Sequence, residues 1–142
     1  MPEALIAEPS RAVVREGGRV LVVDDDVTMR ALIKLHLLTA GYEVLEAPDA
    51  VEGGALALSR SPALVVCDVE MEPLDGYRFA LALKSDPRTR DIPIVFLSAH
   101  ADVADRAVNA GALGHVAKPV TGERLLRVVR RFVSPSVCAL GE

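Results

Sequence analysis

Aspartate side chains that directly follow apolar runs are the residues of this sequence best suited to do chemistry. The run Ala63–Asp68 ends on one carboxylate, and the run Arg19–Val23 leads into the three acids Asp24–Asp26. A run of apolar residues without alternation is typical of a strand that is buried on both faces of a parallel sheet. Because open α/β sheets bind ligands at the carboxyl ends of their strands, both acidic groups are candidates for one binding site at that edge.

Ser98 and Lys118 occupy equivalent positions in the sequence, each at the end of a predicted strand. Parallel strands end at one edge of the sheet, so this hydroxyl and this amino group should meet the acids there. Two like unit charges at a separation of 4 Å cost about 4 kcal/mol at an effective dielectric constant of 20. A divalent cation with oxygen ligands relieves this repulsion, and Mg²⁺ needs few protein ligands. The acidic cluster therefore predicts a magnesium site.

An amino group and a hydroxyl beside a metal-bound carboxylate form a cradle for a tetrahedral anion. In such a site the carboxylate can itself be the nucleophile and form an aspartyl-phosphate. Each feature also has a plainer interpretation, because acids after a strand often cap the next helix, Ser98 can do the same, and Asp75-Gly76 is typical of a turn. The combination, with one such group on each of several strand ends, favours the chemical interpretation.

The elements that must position these groups follow from the hydrophobic periodicity. The sequence predicts five strands: Arg19–Val23, Tyr42–Glu46, Ala63–Asp68, Pro93–Leu97 and Gly114–Ala117. It predicts five helices: about Val27–Ala40, a cap at Asp49 to about Arg60, about Gly76–Lys84, about Asp102–Asn109, and about Thr121–Val133. Strands that alternate with helices in this way form a parallel sheet with right-handed crossovers and helices on both faces, an α/β fold. Residues 1–18 show no clear period and predict a mobile N-terminal arm, and residues 134–142 form a short tail.

Composition excludes several classes of protein. The 142 residues fit one domain, and 51% apolar residues provide a core. The net charge of −4 offers no electrostatic footprint for nucleic acid, and no apolar run is long enough to cross a membrane. The N-terminus does not read as a signal peptide, and Cys67 and Cys138 do not look like a disulfide framework. We therefore expect a cytoplasmic protein that contacts neither membranes nor nucleic acid directly.

The chain resembles a response-regulator receiver domain over about residues 19–133. The matching segments are Val22–Asp26, Val66–Asp68 with Asp75-Gly76, Phe96–Ala99 and Gly114–Pro119. The resemblance implies a doubly wound (βα)5 fold whose five-stranded parallel sheet has the flavodoxin-like strand order 2-1-3-4-5. It also implies that the protein is not an enzyme acting on other substrates, since such domains catalyse only their own phosphorylation and dephosphorylation.

The same resemblance assigns roles to the residues at the strand ends. Asp68 would accept the phosphoryl group, Ser98 would bind it, and Lys118 would pair with it. The ligands of Mg²⁺ would be Asp24, Asp25, Asp68 and the main-chain carbonyl of Glu70. The phosphodonor would be a phosphohistidine on a sensor histidine kinase or a phosphotransfer protein. A downstream output protein or domain would read the state of the site on the output face, defined here as the predicted helix near Asp102, the strand Gly114–Ala117 and the helix from Thr121.

Three positions depart from the usual pattern of the family. Met71 is followed by Glu72, and Pro73 comes one place later than the family's usual proline. The family's switch aromatic is replaced by His115, which is polar and titratable, so Ser98 and His115 would form the switch. Ser98 itself replaces the commoner threonine and keeps the hydroxyl.

Two alternatives remain at this point. The segment Asp24–Thr28 also fits the Asp-x-Asp-x-Thr pattern of haloacid-dehalogenase-like phosphatases, with Asp24 as nucleophile and with Ser98 and Lys118 as the next motifs. Against that hypothesis, no acidic pair follows Lys118 and the role of Asp68 is unexplained. The other alternative is a receiver-like interaction module that is not phosphorylated.

Overall fold

The central sheet has five parallel strands in the order β3-β2-β4-β5-β6. The computed structural model describes residues 15–16, 18–99 and 110–135. Its strands are β1 (Arg15–Glu16), β2 (Arg19–Val23), β3 (Glu43–Ala47), β4 (Leu64–Asp68), β5 (Ile94–Ser98), β6 (Gly114–Ala117) and β7 (Val133–Ser134). Its helices are α1 (Val27–Thr39), α2 (Ala50–Arg60), α3 (Gly76–Ser85) and α4 (Gly122–Val129). With β2 counted as the first strand of this sheet, the order is 2-1-3-4-5, so the predicted fold is confirmed.

Side chains alternate between the two faces of the sheet and form two cores. One face packs against α2 and α3 with Leu21, Val23, Val65, Cys67, Ile94 and Phe96. The other face packs against α1 and α4 with Val20, Val22, Leu64, Val66, Val95 and Leu97. Because helices cover both faces, every residue of β4 and β5 is buried, which explains why these strands appear in the sequence as unbroken apolar runs.

Polar side chains fix the start of each described helix close to the end of the preceding strand. Asp26 caps α1, Asp49 caps α2, Asp75 caps α3 and Thr121 caps α4, each by accepting a hydrogen bond from a backbone N–H of the first turn. The cap predicted at Asp49 is confirmed. These short strand-to-helix turns hold the loops of the functional edge in place.

The predicted bounds of the five sheet strands and of the first three helices agree with the structure to within one residue. The prediction for the last helix is wrong at its end, because α4 stops at Val129. The chain then turns through residues 130–132, and Val133 pairs with Arg15 in a separate two-stranded parallel sheet of β1 and β7. The Tyr42 hydroxyl also donates a hydrogen bond of 2.7 Å to the main-chain oxygen of Val133. The pairing with Arg15 and the hydrogen bond from Tyr42 both need Val133 in an extended conformation. A helix that continued to Val133 would not provide it.

Several expectations fall on residues outside the described part of the chain. These are the helix near Asp102, the first 14 residues of the predicted arm and most of the tail. The strand at Arg15–Glu16 shows that the last part of the predicted arm is paired, a contact that the sequence analysis did not predict. None of the described helices combines the length and the apolar character that a membrane crossing requires.

Candidate functional site

Three carboxylates meet at the carboxyl edge of the central sheet. Asp24 directly follows β2, Asp25 follows it, and Asp68 is the last residue of β4. Each offers one oxygen atom, and these three atoms lie within 4.8 Å of one another. Asp24 and Asp68 are 0% and 3% exposed, whereas Asp25 is exposed. The strand ends therefore bring together the acids that the sequence pattern singled out.

The run of three acids after β2 divides into two functions. Asp26 Oδ1 accepts hydrogen bonds from the N–H groups of Thr28 (2.9 Å) and Met29 (3.2 Å), so Asp26 is the helix cap. Asp24 Oδ1 accepts a hydrogen bond of 2.9 Å from the N–H of Asp26. The plainer interpretation as a cap is thus correct for Asp26, while Asp24 and Asp25 belong to the acidic cluster.

The second oxygen of Asp24 is the observation that tests whether the cluster fits a cation. Asp24 Oδ2 is buried and has no hydrogen-bond partner among the described residues. Burial raises the pKa of this carboxyl group from 3.8 to about 6, and the charge of Asp68 adds to the rise. A buried carboxylate oxygen without a donor is costly unless a cation neutralises it. The carboxylates of Asp24, Asp25 and Asp68 together provide the hard oxygen ligands that Mg²⁺ prefers.

Lys118 places a positive charge against Asp68. Its Nζ lies 3.1 Å from Asp68 Oδ1, and its backbone N–H donates a 2.9 Å hydrogen bond to the main-chain oxygen of Ser98. Burial raises the pKa of Asp68, whereas the Lys118 ammonium and a hydrogen bond from the backbone of Glu70 oppose that rise. The ion pair therefore favours the ionised form of the buried Asp68 carboxylate.

The remaining predicted site residues lie on or after the neighbouring strands. Ser98 ends β5 and is 1% exposed, and Glu70 is exposed in the loop after β4. His115 is half-buried on β6, where it is the register partner of Phe96. Side chains on one face of a strand recur every second residue, so Ser98 and Phe96 lie on the same face of β5. His115, the register partner of Phe96, lies on the same face of the neighbouring β6.

The loop after β4 contains the unusual Met71-Glu72-Pro73 sequence. Met71 is buried, Glu72 and Pro73 are exposed, and the peptide bond between the latter two is cis. At the end of this loop, a Cβ atom on Gly76 would overlap the carbonyl oxygen of Asp68 and lie 2.9 Å from the Cα of Val69. A residue without a side chain is therefore required for α3 to begin against the acidic cluster.

Arg30 is the residue near the site that the sequence analysis missed. Its Nη1 donates a 2.6 Å hydrogen bond to the main-chain oxygen of Asp24, and its Nε lies 3.3 Å from Glu46 Oε1. One feature of the sequence could have pointed to Arg30. It is a basic residue close to the N-terminal end of a predicted helix, where the helix dipole disfavours a cation.

A family model described as the response regulator receiver domain matches residues 20–130. The chain belongs to the response regulator receiver family. This assignment excludes the phosphatase alternative, and the geometry agrees, since the second acid of that motif, Asp26, is used as a helix cap. Asp68, which that alternative left unexplained, lies inside the acidic cluster.

Curated relatives of this receiver are transcriptional regulators about twice its length. The chain is 35% identical over 117 residues to the DNA-binding dual master transcriptional regulator RpaA of Synechocystis, covering 81% of this chain and 48% of that protein. It is 33% identical over 124 residues to the phosphate regulon transcriptional regulatory protein PhoB of Pseudomonas aeruginosa, covering 84% and 54%. The chain thus spans about half the length of the curated relatives it matches.

Solved structures of similar fold include the chemotaxis response regulator CheY4 of Vibrio cholerae. The TM-score with CheY4 is 0.76 at 30% identity, over 81% of this chain and 98% of that one. The receiver domain of the sensor histidine kinase PA1611 from Pseudomonas aeruginosa PAO1 has a TM-score of 0.75 at 27% identity, over 82% and 97%. That structure has a magnesium ion coordinated in its active-site cleft.

Proposed function

We propose that this receiver accepts a phosphoryl group on Asp68 in a Mg²⁺-dependent reaction, as one step of a two-component phosphorelay. The observation that carries the proposal is the environment of Asp68. Its carboxylate is buried at the end of β4, pairs with Lys118 at 3.1 Å and lies beside Asp24 and Asp25. A buried carboxylate that is both paired with a cation and adjacent to other acids is suited to bind a phosphoryl group with a metal ion.

In the proposed reaction, Asp68 is the nucleophile. A carboxylate oxygen of Asp68 attacks the phosphorus of a phosphohistidine, the new O–P bond forms, and the N–P bond breaks as the imidazole leaves. Lys118 is then free to move from the carboxylate to a phosphoryl oxygen, and the Ser98 hydroxyl donates to another. Hydrolysis of the acyl phosphate returns Asp68 to its carboxylate form. The receiver thus catalyses only its own phosphorylation and dephosphorylation.

The metal would supply neutralisation of charge between the acids and the phosphoryl oxygens. The residues proposed to hold it are the side chains of Asp24, Asp25 and Asp68 and the main-chain carbonyl of Glu70. Within the described part of the chain, Asp24 Oδ2 has no hydrogen-bond partner, and the three carboxylate oxygens lie within 4.8 Å of one another. Both observations support this set of ligands. Asp68 therefore serves both as a ligand and as the phosphoacceptor.

The proposed partners follow from this chemistry. The donor is a sensor histidine kinase or a phosphotransfer protein, and the reader is a downstream output protein or domain on the output face. Of that face, the structure describes β6 and α4, and the helix predicted near Asp102 lies outside the described residues. Ser98 and His115 are the proposed switch residues, because they lie on the adjacent strands β5 and β6 and β6 is part of the output face. A cytoplasmic location and the absence of direct contact with nucleic acid remain predictions for this chain.

The test is phosphorylation by a small donor. We expect intact-mass spectrometry after incubation with acetyl phosphate and Mg²⁺ to show one added phosphoryl group, and none in excess chelator. Asp68→Asn should abolish the label. Asp75→Asn is the matched control, since Asp75 lies in the same loop but caps α3. Equal labelling of Asp68→Asn and wild type would contradict the assignment of Asp68, and an unlabelled wild type would favour the alternative of an interaction module without phosphorylation.

A further inference from the structure

The side chain of Arg30 reaches back across the first turn of α1 to the acidic loop. Its Nη1 donates to the main-chain oxygen of Asp24, six residues earlier, at 2.6 Å. Its Nε lies 3.3 Å from Glu46 Oε1 on β3, and the side chain is only 16% exposed. One guanidinium group therefore joins the end of β2 to the neighbouring strand.

This position is electrostatically unfavourable for a cation. The N-terminal end of a helix carries partial positive charge, and a basic residue there destabilises the helix. Arg30 is held nevertheless by Glu46, whose other carboxylate oxygen accepts a hydrogen bond of 2.7 Å from Lys34. The hydrogen bond from Lys34 is the largest cause that lowers the pKa of Glu46, so this carboxylate is ionised at neutral pH. Such an arrangement is consistent with a role of Arg30 other than support of α1.

Asp24 itself makes three hydrogen bonds within the protein. Its N–H donates to the main-chain oxygen of Ala47 at 3.1 Å, its carbonyl oxygen accepts from Arg30, and its Oδ1 accepts from the N–H of Asp26. Three of the four polar groups of Asp24 are thus fixed by protein partners. Only Oδ2 has no hydrogen-bond partner among the described residues, and the Asp24 carboxylate belongs to the acidic cluster.

We infer that Arg30 is a positioning residue for the cation site, acting through the backbone of Asp24. Its hydrogen bond holds the peptide that follows Asp24 at the point where β2 ends, and so fixes the direction of Oδ2. Glu46 and Lys34 in turn hold the guanidinium group. This inference rests on the proposed function, because it assumes that Asp24 is a ligand of Mg²⁺.

Removal of the Arg30 charge should change the affinity for Mg²⁺ in opposite directions, depending on whether Arg30 positions Asp24 or acts only through its charge. A positive charge near a cation site repels the cation, so its loss alone should strengthen Mg²⁺ binding. Loss of a group that orients a metal ligand instead weakens metal binding about 10- to 100-fold. The direction of the change therefore separates the two explanations.

The experiment is calorimetric titration of the unphosphorylated protein with magnesium chloride alone. We expect Arg30→Met to raise the Kd for Mg²⁺ about 10-fold or more. Lys34→Met is the matched control, because it removes the same charge from the same Glu46 carboxylate without touching Asp24. It should leave the Kd unchanged or lower it slightly. Arg30→Lys, which keeps the positive charge and an N–H donor at the end of the side chain, should recover part of the affinity.

Two further measurements distinguish the inference from other causes. A purely structural role would lower the melting temperature of Arg30→Met and leave the Kd for Mg²⁺ as in wild type, which would overturn the inference. A Kd that decreases in Arg30→Met would overturn it as well. Labelling of Asp68 by acetyl phosphate tests the proposed function separately. A wild type that binds Mg²⁺ but is not labelled contradicts that function and leaves the titration to decide the role of Arg30.

Discussion

Residues of one type have different chemical properties in this site because their surroundings differ. Asp26 is exposed, and its side chain accepts two backbone hydrogen bonds as a helix cap. Asp24, two residues earlier, is fully buried and has an oxygen atom without a hydrogen-bond partner in the described structure. The burial of Asp24 predicts that its charge lowers the stability of the fold when no cation is bound.

Asp24→Asn should stabilise the metal-free protein. The folded chain keeps a proton on Asp24 up to about pH 6, whereas the unfolded chain releases it near 3.8. The folded state therefore binds more protons in this interval, and the free energy of unfolding falls as the pH rises through it. A shift of two pKa units corresponds to at most about 3 kcal/mol. In chelator at pH 7.5, we expect the variant to melt several degrees higher than wild type and to bind Mg²⁺ weakly.

Asp26→Asn is the control for this prediction. It removes the same charge two residues away, and asparagine caps helices as well as aspartate does. The control should therefore keep the helix cap and should not raise the melting temperature of the metal-free protein at pH 7.5. An Asp24→Asn protein that melts below wild type in chelator, or that binds Mg²⁺ normally, would be the contrary result.

Lys118→Met should change the pH dependence of phosphorylation as well as its rate. The Lys118 ammonium opposes the rise that burial causes in the pKa of Asp68, so its loss should raise that pKa further. The nucleophile is the ionised carboxylate. As the pH is lowered, labelling by acetyl phosphate should therefore begin to decline at a higher pH in the variant than in wild type. Rates from intact-mass spectra between pH 5.5 and 8 measure this. Parallel profiles for both proteins would contradict a role of Lys118 in the ionisation of Asp68.

The elements show which parts of the fold could be predicted from the sequence. The strand that ends on Asp68 was predictable because burial on both faces leaves an unbroken apolar run, and the cap at Asp49 because a capping side chain lies next to its helix. The burial of Asp24 and the exposure of Asp25 were not predictable, since the two adjacent acids are equivalent in sequence. The hydrogen bond from Arg30 to Asp24 and the pairing of Val133 depend on distances between separate elements, and no periodicity records them.

The start of α3 provides a test at the scale of an element. Gly76→Ala places a Cβ atom against the carbonyl oxygen of Asp68 and 2.9 Å from the Cα of Val69, so the β4–α3 loop must shift. We expect the free energy of unfolding to fall by about 1–3 kcal/mol. Gly54→Ala in α2 is the matched control, because its Cβ would meet no atom within 4 Å. That change should stabilise the protein by about 0.5–1 kcal/mol.

Urea unfolding of both variants measures these effects. Because the loop directly follows Asp68, Gly76→Ala should also reduce labelling by acetyl phosphate, whereas Gly54→Ala should not. A Gly76→Ala protein as stable as wild type would show that the loop can accept a side chain there.

At the scale of the whole molecule, the proposed switch should connect the acidic edge to the output face. Binding of a phosphoryl mimic can shift a conformational equilibrium only by binding one state more tightly, and a change from 1:99 to 99:1 needs about 5.5 kcal/mol. A charge-assisted hydrogen bond from Ser98 contributes about 1.5–3 kcal/mol, so Lys118 must supply part of the rest. We expect beryllofluoride with Mg²⁺ to shift amide resonances of β6 and α4 at pH 8. In the proposed switch, Ser98 moves toward the phosphoryl group and the His115 ring turns inward into the space that Ser98 leaves. At pH 5.5 the response should be smaller, because the inward state would bury a charged ring.

Asp68→Asn is the control in that experiment and should show no response. Shifts confined to the loops at the strand ends, with none in β6 or α4, would rule out the proposed route. Equal responses at both pH values would keep the route but remove the charge of His115 from it.

We expect the pairing of β1 with β7 to open before the central sheet does. The hydrogen bond between Tyr42 and Val133 closes a loop of 91 residues, and the β1–β7 ladder joins segments still farther apart. Doubling the length of such a loop raises the entropic cost of closing it by only about 0.6 kcal/mol. Two strands of two residues each, however, form few hydrogen bonds to offset the cost of closure. This contact should therefore form last when the chain folds and fluctuate open first, as a small cooperative unit. Amide hydrogens there should exchange with solvent much faster than those of β4, and each opening would release the end of α4 while the acidic edge stays closed.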